Sequence, residues 1–95
     1  MAETSPPAGP FKIAPHISWR RVEEESVLLN VDTGEYYSLD PTASSIWERI
    51  ERGDKTAKIV KDIAKEYGKP ETRVEKDAQE FLNDLLSEKL IQPAD

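Results

Sequence analysis

The sequence predicts a small α+β domain, a three-stranded antiparallel sheet followed by three helices. Three observations lead there. Apolar residues follow a strand-like pattern between His16 and Leu39, then recur at helical spacing from Ala43 onward, and Gly34, Gly53 and Gly68 stand where elements end. A chain of 95 residues is enough for one such domain and too short for two.

Residues 1 to 15 hold four of the seven prolines, Pro6, Pro7, Pro10 and Pro15. Proline removes backbone donors and little apolar surface is on offer, so 1–15 reads as a flexible arm and 16–92 as the folded domain. In "HISWRRV", Ile17, Trp19 and Arg21 alternate with Ser18, Arg20 and Val22, the pattern of a first strand. Glu23, Glu24 and Glu25 make a charged turn, and "VLLNV", Val27 to Val31, is a β-branched and apolar second strand. Asp32, Thr33 and Gly34 form a hairpin connection in which glycine can take positive φ, and "EYYSL" returns as the third strand.

Asp40 then offers a carboxylate to the free N–H groups of a helix start, with Pro41 at the first helical position. Ala43, Ile46, Trp47 and Ile50 form one apolar helix face that stops at Gly53. A second helix opens near Thr56, with Ile59, Val60, Ile63, Ala64 and Tyr67 as its face and Gly68 as its end. The third opens around Pro70 and Glu71; Val74, Ala78, Phe81, Leu82 and Leu85 form its stripe, and Leu86, Leu90 and Ile91 continue it. Three helices with a small sheet make a winged helix-turn-helix arrangement, which by itself names no function.

Composition excludes several classes. There is no cysteine, so thiolate catalysis, disulfides and cysteine metal sites are absent. His16 is the single histidine and reads as an exposed residue at a strand entry, so no metal and no cofactor is expected. Ser26, Ser38, Ser44, Ser45 and Ser87 lie in no triad-like or nucleophile-elbow context, and no glycine-rich phosphate loop exists. An enzyme is not expected. Neither is a signal peptide or a membrane span, because no apolar run approaches the ~20 residues required; a cytoplasmic setting is the expectation.

Nucleic acid is disfavoured by charge. The net charge is −6, and the third helix carries Glu71, Glu75, Asp77, Glu80, Asp84 and Glu88 against Arg73, Lys76 and Lys89. Six acids against three bases on the helix that would enter a groove repel phosphate. The second helix, with Lys55, Lys58, Lys61 and Lys65, is more basic but offers only a weak patch.

The tyrosine pair carries more information. Alternation puts Tyr37 with Leu39 on one face of the last strand and Tyr36 with Ser38 on the other. Leu39, next to the Asp40 cap, turns inward over the first helix, which brings Tyr37 to the helix side. In a meander the last strand is an edge, and an uncharged, uncovered edge invites an extended peptide to add itself as a further strand.

The stretches "VLLNVDTGEYYSLDPTASSIWERI", "KTAKIVKDIAKEYG" and "VEKDAQEFLNDLLSEKLI" closely resemble the PqqD-like family, over roughly residues 16 to 92. The most specific part is the leucine-rich strand, Thr-Gly hairpin and Tyr-Tyr-x-Leu, followed by a helix with an Ile-Trp pair. Where many relatives have asparagine before that helix, this chain has Asp40, which should still cap. The resemblance implies a recognition element for ribosomally made, post-translationally modified peptides. The pattern looks most like the stand-alone leader-binding proteins of lasso-peptide biosynthesis, with the protein of pyrroloquinoline quinone biosynthesis as the alternative. It implies a leader peptide added as a strand in the cleft beside the third helix. It also implies delivery of the precursor to a leader peptidase and an ATP-dependent macrolactam synthetase.

Carried over by position, the binding strand is Glu35, Tyr36, Tyr37, Ser38 and Leu39, facing Arg73, Val74, Asp77, Ala78 and Phe81 on the third helix, with Val27 and Leu29 expected to floor the groove. Phe81 is read mainly as core, and Arg73 and Asp77, four residues apart, can pair with each other instead of with a ligand. Which of these residues line a pocket and which only pack is left open by the sequence.

Overall fold

A computed structural model of the chain describes residues 9–94. Its elements are β1 (Phe11–Ile13), β2 (Ile17–Val22), β3 (Glu25–Asn30), β4 (Tyr36–Leu39), α1 (Pro41–Glu51), α2 (Thr56–Tyr67), α3 (Glu71–Ser87) and β5 (Ile91–Pro93). The antiparallel β2–β3–β4 meander followed by three helices is the α+β arrangement expected from the sequence.

Two features at the chain ends differ from the expectation. Composition extends the Pro-rich arm to residue 15, but Phe11–Ile13 form a strand paired antiparallel with β5, Ile13 opposite Ile91. Phe11 and Ala14 are buried, and Ala14 N–H donates to the Leu90 carbonyl at 3.0 Å. The partner lies at the other end of the chain, so no local pattern announces it. Residues 1–8 of the arm lie outside the described residues.

The third helix also ends sooner than its apolar stripe suggests. It closes at Ser87, and Lys89 takes a left-handed φ of 63°. Lys89 N–H donates to Leu86 (3.0 Å) and Leu90 N–H to Leu85 (2.9 Å), a Schellman closure that uses lysine where glycine is usual. Leu90 and Ile91 are therefore buried as strand and loop residues rather than as helix.

Local chemistry sets the remaining boundaries. In the β3–β4 hairpin, the Asn30 side-chain carbonyl accepts from the N–H groups of Asp32 (2.9 Å) and Thr33 (3.2 Å), and Gly34 takes φ 82°. Asp40 caps α1 by accepting from Ala43 N–H at 2.8 Å, and Pro41 occupies the first turn. The buried Ser44 hydroxyl donates to the Leu39 carbonyl at 3.1 Å, tying the end of β4 to the helix.

The core lies between one face of the sheet and the helices. Trp47 is fully buried and meets Trp19 edge to face, with ring centroids 6.0 Å apart. Leu28, Ile50, Ile59, Ile63, Ala78 and Leu82 surround this centre. Each large apolar side chain so buried contributes about 1.5–3 kcal/mol. Arg49 of α1 reaches Asp62 (3.8 Å) and Glu66 (3.3 Å) of α2, and Arg21 of β2 pairs with Glu48 of α1. No described helix is long and apolar enough to cross a membrane.

Candidate functional site

The strand order leaves β2 and β4 as the edges of the three-stranded sheet. They differ in chemistry. β2 carries Arg20 and Arg21 in its sequence, charges that discourage further pairing, whereas β4 is Tyr-Tyr-Ser-Leu, with neither charge nor proline. Alternate backbone N–H and C=O groups of an antiparallel edge strand point away from its neighbour. β4 is thus the edge open to an added strand.

Two contacts fix α3 relative to β4. The Tyr37 hydroxyl lies 3.3 Å from a carboxylate oxygen of Glu88, the cap residue directly after α3, and 3.1 Å from one of Glu35. At the other end, Thr42 and Ile46 of α1, with Ile63, Tyr67 and Lys69, meet Val74, Asp77 and Ala78 of α3 around a hollow of about 40 Å³. The C-terminal end of α3 therefore stands beside the start of β4, and its first half lies near the start of α1, so the helix runs back along the strand. Steps of four, three and four residues place Asp77, Phe81, Asp84 and Glu88 in one stripe of α3.

The Tyr37 phenol is held above its ordinary pKa, first by desolvation and then by its hydrogen bond to Glu35 and the charges of Glu35 and Glu88. It stays a neutral donor at physiological pH. Its single proton serves one carboxylate at a time, so the two acids share a latch between the hairpin and the end of α3.

Of the residues expected from the sequence, Tyr37 and Leu39 face the helix side; Tyr37 is half-buried and Leu39 is in the core. Val74 and Ala78 are buried and border the hollow, Asp77 is exposed at its rim, and Phe81 is half-buried against the core. Arg73 is exposed and makes no ion pair with Asp77 or with any other described residue. Glu35 lies in the turn before β4, where its carbonyl accepts from Asn30 N–H at 2.9 Å.

Four residues fall elsewhere. Val27 and Leu29 do not floor the cleft. The register sets Leu28 opposite both Trp19 and Tyr37, so Leu28 points to the helices and its neighbours point to the outer face of the sheet. Tyr36 and Ser38, opposite Leu29 and Val27, share that outer face. They belong to the edge strand through their backbone, not to the cleft through their side chains. Glu88, Thr42 and Leu28 join the neighbourhood unannounced. Glu88 had a sequence signal, seven residues beyond Phe81 on one stripe; Thr42 and Leu28 depended on how α1 and β3 pack.

Among the described residues no group of three or more His, Asp or Glu side chains is placed to hold a metal ion. What the site offers is an open uncharged strand edge, a half-buried tyrosine and phenylalanine, and a carboxylate-bearing helix rim, the equipment of a small peptide-binding type of domain. The chain belongs to the PqqD family: residues 25–91 match the family described as coenzyme PQQ synthesis protein D. Two solved structures are similar over almost their full length. One, TbiB1 in complex with the TbiA(beta) leader peptide, is 33% identical, with 88% of this chain and 98% of that chain covered and a TM-score of 0.82. The other, a lasso peptide synthetase B1 complexed with the leader peptide, is 28% identical, with 90% and 100% covered and a TM-score of 0.82. No curated protein matches the chain.

Proposed function

We propose that this protein is a non-catalytic adaptor of lasso-peptide biosynthesis that binds the leader segment of a ribosomal precursor peptide. The leader adds as a strand on the free edge of β4, beside α3, and the adaptor presents the precursor to a leader peptidase and an ATP-dependent macrolactam synthetase in the cytoplasm. The observation that carries the reading is the likeness, across 98% and 100% of their lengths, to two chains that hold a leader peptide. The uncharged β4 edge supports strand addition as the mode. Tyr37, Phe81, Val74, Asp77 and Ala78 are assigned to side-chain recognition, and the backbone of Tyr36 to Leu39 to main-chain pairing.

The family description favours a second reading, the precursor peptide of pyrroloquinoline quinone synthesis. Titrating the leaders of both precursor classes against the protein separates the two. A DNA-binding role is opposed by the five acidic residues of α3 and by Glu88 directly after it.

Strand addition is tested by methylating the leader's backbone nitrogens one residue at a time. Each N-methyl group removes a donor and adds bulk. A hydrogen bond contributes about 0.5–1.5 kcal/mol net, and a buried acceptor left unpaired costs about 1–3 kcal/mol. Because alternate N–H groups face the partner strand, losses measured by calorimetry should alternate between strong and weak along the leader. Losses at helical spacing, or a flat profile, would eliminate strand addition while leaving leader binding itself intact.

A further inference from the structure

The helices pack on one face of the three-stranded sheet, and the side chains of the other face are exposed or half-buried. Of the four large hydrophobic side chains exposed among the described residues, three lie on that outer face: Val22 (44% exposed), Val31 (57%) and Tyr36 (71%). Strand register arranges the face as a grid. Val22 stands opposite Glu25, Arg20 opposite Val27, and Leu29 opposite Tyr36, all with side chains turned away from the helices. Each step from Val22 on β2 to Val27 on β3 and to Tyr36 on β4 crosses one strand and moves two residues along, so the three lie on one diagonal. Arg20 sits on one side of that diagonal and Glu25 on the other, at matching grid positions. Among the described residues neither of the two makes an ion pair.

A two-fold axis laid along the diagonal makes this face complementary to itself. It sets Val22, Val27 and Tyr36 of one copy against the same three side chains of a second copy. It also brings Arg20 of each copy to Glu25 of the other, so the ion pair forms twice. A surface patch that meets itself in this reciprocal way is the pattern of a two-fold interface. With strands about 4.8 Å apart and about 6.8 Å per two residues, the diagonal runs at roughly 35° to the strands. The strands of the two sheets then cross at roughly 70°, near the orthogonal class of sheet packing. Charge selects the same face. The chain carries a net charge of −6, so most of its surface repels a second copy. The strand residues turned to this face hold one cation, Arg20, and one anion, Glu25, which makes it locally neutral.

We infer that the protein self-associates as a two-fold dimer through the outer face of its sheet, with Val22, Val27 and Tyr36 on the axis and Arg20 paired to Glu25 across it. The dimer goes beyond the adaptor reading and does not depend on it. Its contacts are made by side chains, so the backbone edge of β4 stays unpaired in both copies. Because Tyr36 lies on the axis, the two β4 edges come close together, and the dimer presents two open edges at one place. Three strands of four to six residues make a face of roughly 15 Å by 20 Å. That is less than the ~800 Å² that each partner of a stable complex buries. The dimer is therefore a partner in a monomer–dimer equilibrium and fills as concentration rises.

Sedimentation equilibrium of the full-length protein from ~10 μM to ~1 mM reads the association without any peptide present. The unsubstituted protein is expected to shift from monomer toward dimer across that range. Arg20→Glu and Glu25→Arg, made separately, each set like charges together twice and are expected to weaken the dimer by about tenfold or more. Arg20→Glu combined with Glu25→Arg exchanges the two partners and is expected to restore association to within about threefold of the unsubstituted protein. Val22→Lys places two lysines against each other on the axis and is expected to leave monomer throughout. All three positions are exposed, thermal melts confirm that each variant is folded, and three independent positions keep the test open if one variant is unstable. A protein that is still monomeric at ~1 mM overturns the inference. So does a dimer that the single charge reversals leave unchanged, that the double variant fails to restore, or that Val22→Lys leaves in place, because each assigns association to a different surface or pairing.

Discussion

Phe11→Ala tests whether the two chain ends are part of the domain's stability. Phe11 is 5% exposed and sits in the same core as Leu90 and Ile91, on a strand whose one pairing partner among the described residues is β5. Truncating a buried phenylalanine typically costs about 3–5 kcal/mol, the lost transfer energy plus the cavity left behind. A small domain has a total of only about 5–15 kcal/mol. At roughly 4–8 °C per kcal/mol for a domain of this size, the midpoint should fall by about 12 °C or more. Lys12→Ala on the same strand is the control, because Lys12 is exposed and its change should stay within about 0.5 kcal/mol. Circular dichroism melts and urea titrations of both variants provide the measurement. If Phe11→Ala melts within about 3 °C of the unsubstituted protein, the β1–β5 clasp contributes little and the arm extends further than the structure indicates. The same reasoning makes deletion of residues 1–13 destabilising, although composition alone marks that segment as dispensable.

Two further outcomes are expected. Trp47, fully buried against Trp19, should cost about 3–5 kcal/mol as Trp47→Ala and leave little folded protein. Trp47→Phe should cost distinctly less, since it keeps an aromatic ring and removes the buried indole N–H that has no acceptor among the described residues; equal melting losses for the two would place Trp47 outside the packed centre. Asp62 is held below its ordinary pKa, first by its hydrogen bond from Lys58 and then, against desolvation, by the charges of Lys58, Arg49 and Arg52. A carboxylate lowered on folding stabilises the protein above its unfolded pKa and loses that contribution as pH falls through its folded value. The melting difference between the unsubstituted protein and Asp62→Asn should therefore be present at neutral pH and shrink below about pH 4; a gap independent of pH would show that the Lys58–Asp62 pair contributes no charge-dependent stability.

Much of the site was legible residue by residue. Strand alternation put Tyr37 with Leu39 on the helix side and Tyr36 with Ser38 away from it, and the structure has them so. The Asp40 cap, the Gly34 hairpin and the apolar stripes of the helices were equally readable, because each rests on interactions within a few residues of chain. The acidity of the third helix, which argues against nucleic acid, needs no fold to be seen.

What the sequence could not decide depends on contacts between distant residues. Phe11 reads as part of a Pro-rich arm until β5 arrives to pair with it. Leu90 and Ile91 read as helix until Lys89 turns the chain into the left-handed region. Val27 and Leu29 changed sides for the same reason: alternation separates odd from even positions in a strand, but only the register against β2 and β4 says which set meets the helices. That choice is made by burying Leu28 with Trp19, Tyr37 and the helical core, a cooperative packing energy no local window contains. The sequence thus determined the elements and the chemistry of the β4 edge, and the tertiary structure determined which side of the sheet is core and which is exposed.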